Sequence, residues 1–374
     1  MTFIFSAILF FLSVSWCQTL AGEPYIYTEW ESFTTESTSG GLINDHIFYL
    51  EADGDRLWIG TEGGLVLYEN GKWTSWTEED GLPWRVISGL AVSHKTGDLW
   101  LSMLGEGIAR FSGGRFDHFN QMNSGLLNDV AYGVAIEGDN VWTATTAGVC
   151  SYNTVTGEWE VFTEKHAPME EVWCYNVDAR DGKVYVAVWG GGILEWDVAT
   201  RHWTDYIDPD GEMEIDLYRD DGLVHVITTS ASYIDKVLWA ATYFGLSRYD
   251  GRNWRGYMKI DSGLPSDFIN LGVGRSGTSC YVCTDKGLAV LTDYETDTWV
   301  TYNRSSEEAK TWTAYVMVGK DTIRTNSTNL DLPNHFVICT EFQGNDVWIG
   351  TGHGLARGIG KGYWSGLVSS KPKK

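Results

Sequence analysis

Residues able to do chemistry recur at fixed places in this sequence. The fifth place counted from the glycine of the Gly-Leu links holds Asp45, Arg85, Asp129, Glu171 and Asp267. His335 follows Leu332-Pro333-Asn334 at the aligned place, and a shorter link offers His225 nearby. Four carboxylates brought to one point attract a cation or a ligand amine. A ring of oxygens suits Ca²⁺ or Mg²⁺, the one kind of metal these residues suggest, and no cofactor motif accompanies them. Arg85 would accept a carboxylate or sulfate. The competing expectation is that these side chains cap inner-strand amides and hydrate a channel.

A second set precedes each third strand: Glu62, Glu106, Thr146, Trp189, Tyr243, Phe244, Asp285 and His353. Trp84, Trp189, Tyr243 and Phe244 are aromatics outside the register of the recurring core rings. Aromatic faces beside acids hold sugars, the ring stacking while carboxylates bind hydroxyls; the same rings would also pack against neighbouring loops. Catalysis has less support. HExxH, GxSxG and a P-loop are all missing, and the sequence holds 8 histidines. His46, His335 or His353 would serve as a general base only if a carboxylate met it at the channel. No catalytic residue is assigned.

The elements that must position these groups are repeated. Leu57-Trp58-Ile59-Gly60-Thr61, Gly64-Leu65, Lys72-Trp73 and Gly81-Leu82-Pro83 follow in an order that returns along the chain. Its aromatic anchors are Trp58, Trp100, Trp142, Tyr185, Trp239, Tyr281 and Trp348. The spacing is 42 or 43 residues in four of six intervals, the length of a four-stranded propeller blade. Apolar and polar residues alternate within each short run, and Gly, Asp and Asn punctuate between runs. The fold expected is all-β: a seven-bladed β-propeller of four-stranded antiparallel blades. Trp30 to Thr34 matches an outer strand, so it is expected to complete the last blade and hide the sheet edges. Gly64, Gly148, Gly245, Gly287 and Gly354 are expected at positive φ before the third strands. Two intervals are stretched, by 206–221 and by 303–331; the second, which includes Trp312 to Val318, reads as an extra hairpin.

The runs LWIGTEGGLVLYENGKWTSWTEEDGLP and VWIGTGHGLARG closely resemble the two-component regulator propeller repeat. The resemblance covers Trp30 to about Leu367 and is strongest at Leu57–Pro83, Leu238–Pro265 and Val347–Leu355. It implies an exported propeller like the periplasmic sensing part of hybrid histidine kinases, often responsive to glycans. The motif residues are structural, so the resemblance speaks to fold more than to ligand. With the propeller accounted for, no length is left for a membrane helix, kinase or receiver domain.

Composition agrees with that picture. Glycine numbers 43 and tryptophan 19 against 7 prolines, while 27 Lys+Arg face 50 Asp+Glu for a net charge of -23. Such a field repels phosphate backbones and argues against nucleic acid as a partner. Phe3 to Trp16 is a 14-residue uncharged apolar run, followed by Thr19-Leu20-Ala21. This suits a signal peptide over 1–21 with export to the periplasm or the outside; an N-terminal anchor, or a lipid on Cys17, is the alternative. The domain expected is a monomeric propeller over 22–367 with a short tail over 368–374. Cys150, Cys174, Cys280, Cys283 and Cys339 are too sparse for a disulfide framework, and the Cys280–Cys283 pair lies in an apolar strand pattern. The functions that follow are three. The first is a non-catalytic module recognising a small molecule, a glycan or a partner protein. The second is an exported hydrolase or lyase acting at the channel mouth. The third is a scaffold subunit of an envelope complex.

Overall fold

The computed structural model describes residues 24–208, 222–306 and 309–360. The signal-peptide region, most of the acidic insert at 206–221 and the segment after Gly360 lie outside the described residues. Strands alone build the blades. Blade 1 runs Ile47–Asp53, Arg56–Thr61, Leu65–Glu69 and Lys72–Trp76, each strand antiparallel to the next. Blades 2 to 7 begin with inner strands Ile87–Val92, Ala131–Glu137, Cys174–Arg180, Thr228–Ile234, Ile269–Ser276 and Val337–Gln343. Each inner strand packs against the next, and that of blade 7 packs against that of blade 1. Trp30–Phe33 pairs antiparallel with Gly354–Gly358 and is the outer strand of blade 7.

Blade 6 departs from four strands. Its sheet has six, because Trp312–Val318 and Asp321–Ser327 add a hairpin to the outer edge. The stretched interval there is thus a widened blade. Segment 24–29 lies against this blade: the Tyr27 amide donates to the Tyr302 hydroxyl (2.7 Å), and the Asn329 amide to the Thr28 carbonyl (3.3 Å).

The recurring rings wedge the blades together. Trp100, Tyr185, Trp239, Tyr281 and Trp348 are all buried at 1 % exposure or less. By area, each such ring contributes about 4 kcal/mol of hydrophobic burial as an upper figure. The five glycines expected at positive φ have it, from 120° at Gly148 to 142° at Gly64. Before each of them a threonine closes the turn. The Thr61, Thr145, Thr242, Thr284 and Thr351 hydroxyls donate to the carbonyls of Gly64, Gly148, Gly245, Gly287 and Gly354 at 2.8–2.9 Å. The same hydroxyls accept from the amide two residues on, such as Gly63 and Phe244. These turns hold Glu62, Thr146, Tyr243, Asp285 and His353 at the end of the blade where the links arrive.

Every inner strand carries a bulge at the same point, one residue after its first. The residues there are Phe48, Ser88, Tyr132, Tyr175, Thr229, Asn270 and Ile338. A bulge redirects the extra side chain, and here several reach the next blade. Ser88 Oγ donates to the Ala131 carbonyl (2.6 Å), Thr229 Oγ1 to Ile269 (2.9 Å) and Asn270 Nδ2 to Val337 (2.7 Å).

Candidate ligand-binding face

Strand register places the expected ring more finely than link spacing does. Counting back from the first inner-strand residue, Asp45, Arg85, Asp129, Asp267 and His335 occupy one position. Glu171 and His225 occupy the position before it, alongside Asn44, Trp84, Asn128, Ser266 and Asn334. Blade 4 has no Gly-Leu link; Pro168-Met169 stands in its place, so a count from Ala167 slips by one residue, and in blade 5 the fifth place from Gly222 is Val226.

The two positions have separate local tasks. Asp45 Oδ1 accepts from the Thr35 amide (2.6 Å) and hydroxyl (2.9 Å). Asp129 Oδ1 accepts from the Gln121 amide (2.8 Å), and Asp267 Oδ1 from the Lys259 amide (2.6 Å). These carboxylates cap the turn that leaves the preceding outer strand, not the inner strand. The inner-strand amides are capped from the other position. The amides of His46, Val130 and Phe336 donate to the side-chain carbonyls of Asn44, Asn128 and Asn334 at 2.6–2.8 Å. The Ile227 amide donates to His225 Nδ1 (3.0 Å). Arg85 and Glu171 are exposed. Among the described residues no three of the histidines, cysteines and carboxylates come together in a way that would hold a metal ion.

What the face does bring together is a set of rings. Tyr132 of blade 3 stacks on Tyr175 of blade 4 (4.7 Å), and Tyr175 and Trp173 both meet Trp189 (5.4 and 5.9 Å). Trp189 meets Tyr243 of blade 5 edge-on at 4.9 Å, and Tyr243 meets Phe268 of blade 6 at 4.1 Å. Phe268 then reaches Phe336 of blade 7 (6.3 Å), while Phe244 lies on His225 (4.4 Å). This arc joins Trp189, Tyr243 and Phe244, as their placement in the turns implies. Trp84 stands apart, over Gly105 in blade 2. Trp173 is 40 % exposed and Trp84 36 %, which leaves large apolar surface open to a ligand. Tyr132, Trp173, Tyr175, Phe268 and Phe336 escaped the reading of link spacing. The signal for them was present: they flank or occupy the bulge of each inner strand.

A polar sector completes the mouth. His46 Nδ1 lies 3.5 Å from Glu62 Oε2, and the His46 ring stacks on Phe48 (4.5 Å). His353 Nδ1 is 2.9 Å from Asn334 Nδ2. Burial lowers the pKa of His46 against the opposing pull of Glu62, and burial alone lowers that of His225. Both imidazoles are therefore neutral at neutral pH. Burial raises the Tyr175 phenol to about 12, so it stays a hydrogen-bond donor.

Deeper in the channel a second acidic set lies in a cavity of about 160 Å³ lined by Glu51, Asp178, Arg180 and Glu341. Each of these acids is the cross-strand partner of a wedge ring: Trp58, Tyr185 and Trp348. All three lie seven residues before the ring, a spacing that would have found them. Glu51 Oε1 accepts from the Val92 amide of blade 2 (3.1 Å), and Asp178 Oδ2 from the Tyr233 amide of blade 5 (2.8 Å). Burial, then mutual repulsion with Glu341, raises the Glu51 pKa; burial raises that of Glu341 despite its bond from the Phe342 amide. The five cysteines among the described residues are buried and unbridged.

No family model and no curated protein matches the chain. Among solved structures, two extracellular domains of hybrid two-component systems from B. thetaiotaomicron superpose with TM-score 0.65 at 15% identity. Each alignment covers 89% of this chain and 42% or 40% of the other, so this chain spans less than half of those domains. The WD40 repeats of RRP9 align with TM-score 0.57 at 10% identity, over 84% of this chain and 94% of that one. At such identity the likeness is one of fold, and the fold is consistent with the two-component regulator propeller resemblance.

Proposed function

We propose that this chain is an exported, non-catalytic recognition module that binds a small ligand of the glycan class at its link-face mouth. The observation that carries this reading is the aromatic arc from Tyr132 through Trp173, Trp189 and Tyr243 to Phe268. It offers ring faces beside a polar sector of His46, Glu62, Asn334 and His353. Sugars are held by such pairing of stacking surface with hydroxyl partners. Three mouth carboxylates cap loops, which supports a ligand bound by rings more than one bound through metal. Export rests on the N-terminal apolar run and on the extracellular setting of the structural neighbours. Among the described residues no helix is long and apolar enough to cross a membrane.

The reading is tested by calorimetry and tryptophan fluorescence against a panel of neutral and acidic oligosaccharides. Binding without turnover is expected, with Trp173→Ala or Trp189→Ala weakening it at least tenfold. A panel that leaves fluorescence and heat unchanged removes the glycan assignment. The enzymatic alternative would use the His46–Glu62 pair, and product release abolished by His46→Ala would favour it.

A further inference from the structure

We propose that the seam between blades 3 and 4 is a seat for an arginine side chain displayed by a partner protein. Three of the other six blades carry an arginine at this place, while Leu67, Glu195 and Val290 hold it in blades 1, 4 and 6. On the third strand, the residue directly across from the wedge ring is Arg110 in blade 2, Arg248 in blade 5 and Arg357 in blade 7. Arg248 lies over the Trp239 ring at 5.7 Å and Arg357 over the Trp348 ring at 5.4 Å. Each of the three has a carboxylate: Arg110 Nε donates to Asp117 (3.0 Å), Arg357 Nε to Asp346 (2.7 Å), and Arg248 Nη1 lies 3.7 Å from Asp250. The chain thus places a guanidinium beside an indole and an acid three times over.

Blade 3 keeps the indole and the acid but lacks the arginine. Ser151 stands across from Trp142, and Glu160 stands across from Ser151 as Asp117 does from Arg110. The missing bulk coincides with a cavity of about 600 Å³ lined by Asn140, Trp142, Ser151, Glu158, Glu160 and Trp196, with Arg201 at its rim.

Arg201, from the last turn of blade 4, pairs with Glu160 and lies 5.3 Å from the Trp196 ring. Its side chain is 62 % exposed, so it marks the rim and leaves the cavity open. An exposed pair of this kind is weak and is readily exchanged for another guanidinium. Glu158 and Glu160 outweigh Arg201, and the chain's net charge of -23 favours a basic partner at long range. A planar guanidinium fits better than an ammonium, because it pairs with carboxylates through two donors and lies flat on rings.

Calorimetric titration at low ionic strength with N-acetyl-L-arginine amide and its uncharged analogue N-acetyl-L-citrulline amide tests this seat. The arginine derivative is expected to bind, with the citrulline derivative at least tenfold weaker. The peptide Gly-Gly-Arg-Gly-Gly amide is expected to bind at least as tightly as the single residue. Ser151→Arg, which rebuilds the arrangement of blades 2, 5 and 7, is expected to abolish binding while keeping or raising Tm. Glu160→Gln is expected to weaken it at least fivefold, which keeps the test decisive should the arginine variant fold poorly. Trp173→Ala, at the channel mouth, is expected to leave it unchanged, so this seat and the glycan reading stand or fall separately. Equal binding of both amides, arginine binding untouched by both Ser151→Arg and Glu160→Gln, or binding of free L-arginine but not of the peptide overturns the proposal.

Discussion

The mouth and the waist of the channel use carboxylates in opposite ways. At the mouth, Asp45, Asp129 and Asp267 bond to amides eight to ten residues away in the same link. At the waist, Glu51 and Asp178 bond to amides of the next blade, 41 and 55 residues on. The mouth acids are half-buried local caps, and the exposed aromatic surface around them is left for contact. The waist acids tie blades together at the cost of burying carboxyl groups, which raises their pKa. Position in the link or on the inner strand therefore separates local cap from mechanical tie.

This contrast can be broken or sharpened by measurement. The largest effect is expected where both regions share a support. Trp348→Ala, at the seam of blades 7 and 1, should cost about 3–5 kcal/mol by leaving a cavity under mouth and waist alike. Urea unfolding measures this, and a loss below 1 kcal/mol would show that the wedge is not what holds the ring. Next, Asp178→Ala should cost about 1–3 kcal/mol, because the Tyr233 amide is then left without its partner between blades. Asp129→Ala should cost about 1 kcal/mol or less, as the loss of a turn cap does. Equal costs would erase the distinction between tie and cap.

A smaller effect distinguishes the waist by pH. The Glu51 pKa is raised in the folded protein, so its contribution to stability is fully present below the ordinary glutamate range. It is lost as pH rises through the raised value. Burial sets most of this shift, followed by repulsion from Glu341, with the Val92 amide opposing and Asp53 and Asp178 adding smaller pushes. Glu51→Gln should remove this dependence, so that its Tm relative to wild type is higher at pH 8 than at pH 5 by a few degrees. A Tm difference that does not change with pH would mean that Glu51 is solvated and charged. The smallest effect belongs to the mouth: Trp173→Ala should change stability by no more than about 0.5 kcal/mol, since the ring is 40 % exposed.

Much of the fold was legible because it is periodic. The anchors, the positive-φ glycines and the outer strand at Trp30 follow from a unit repeated with small variation, and the hairpin at Trp312 from an interval too long for that unit. The candidate site was legible only where it sat on that unit. Tyr243 and Phe244 were found because the Thr242–Gly245 turn places them on the link face, and Trp189 because it holds the corresponding place after Val188. Glu171 falls one residue before the aligned place, because Pro168-Met169 replaces Gly-Leu there and the count loses its landmark; His225, read only as nearby, sits at the same earlier position. Tyr132, Trp173 and Phe268 were missed because a bulge, and not the alternating pattern, directs the chain at that point.

Local chemistry in the sequence therefore determined the strands, the turns, their number of repeats and which rings fill the core. Each depends on neighbours within one blade, where alternation and glycine conformation decide the outcome. Only the tertiary ring decided which side chains meet across seams: which acids bond to the next blade, which rings join into one arc, and where an arginine is missing from its seat. Those contacts join residues from 25 positions apart, at Tyr243–Phe268, to 68 apart, at Phe268–Phe336, and no local pattern encodes the distance between blades.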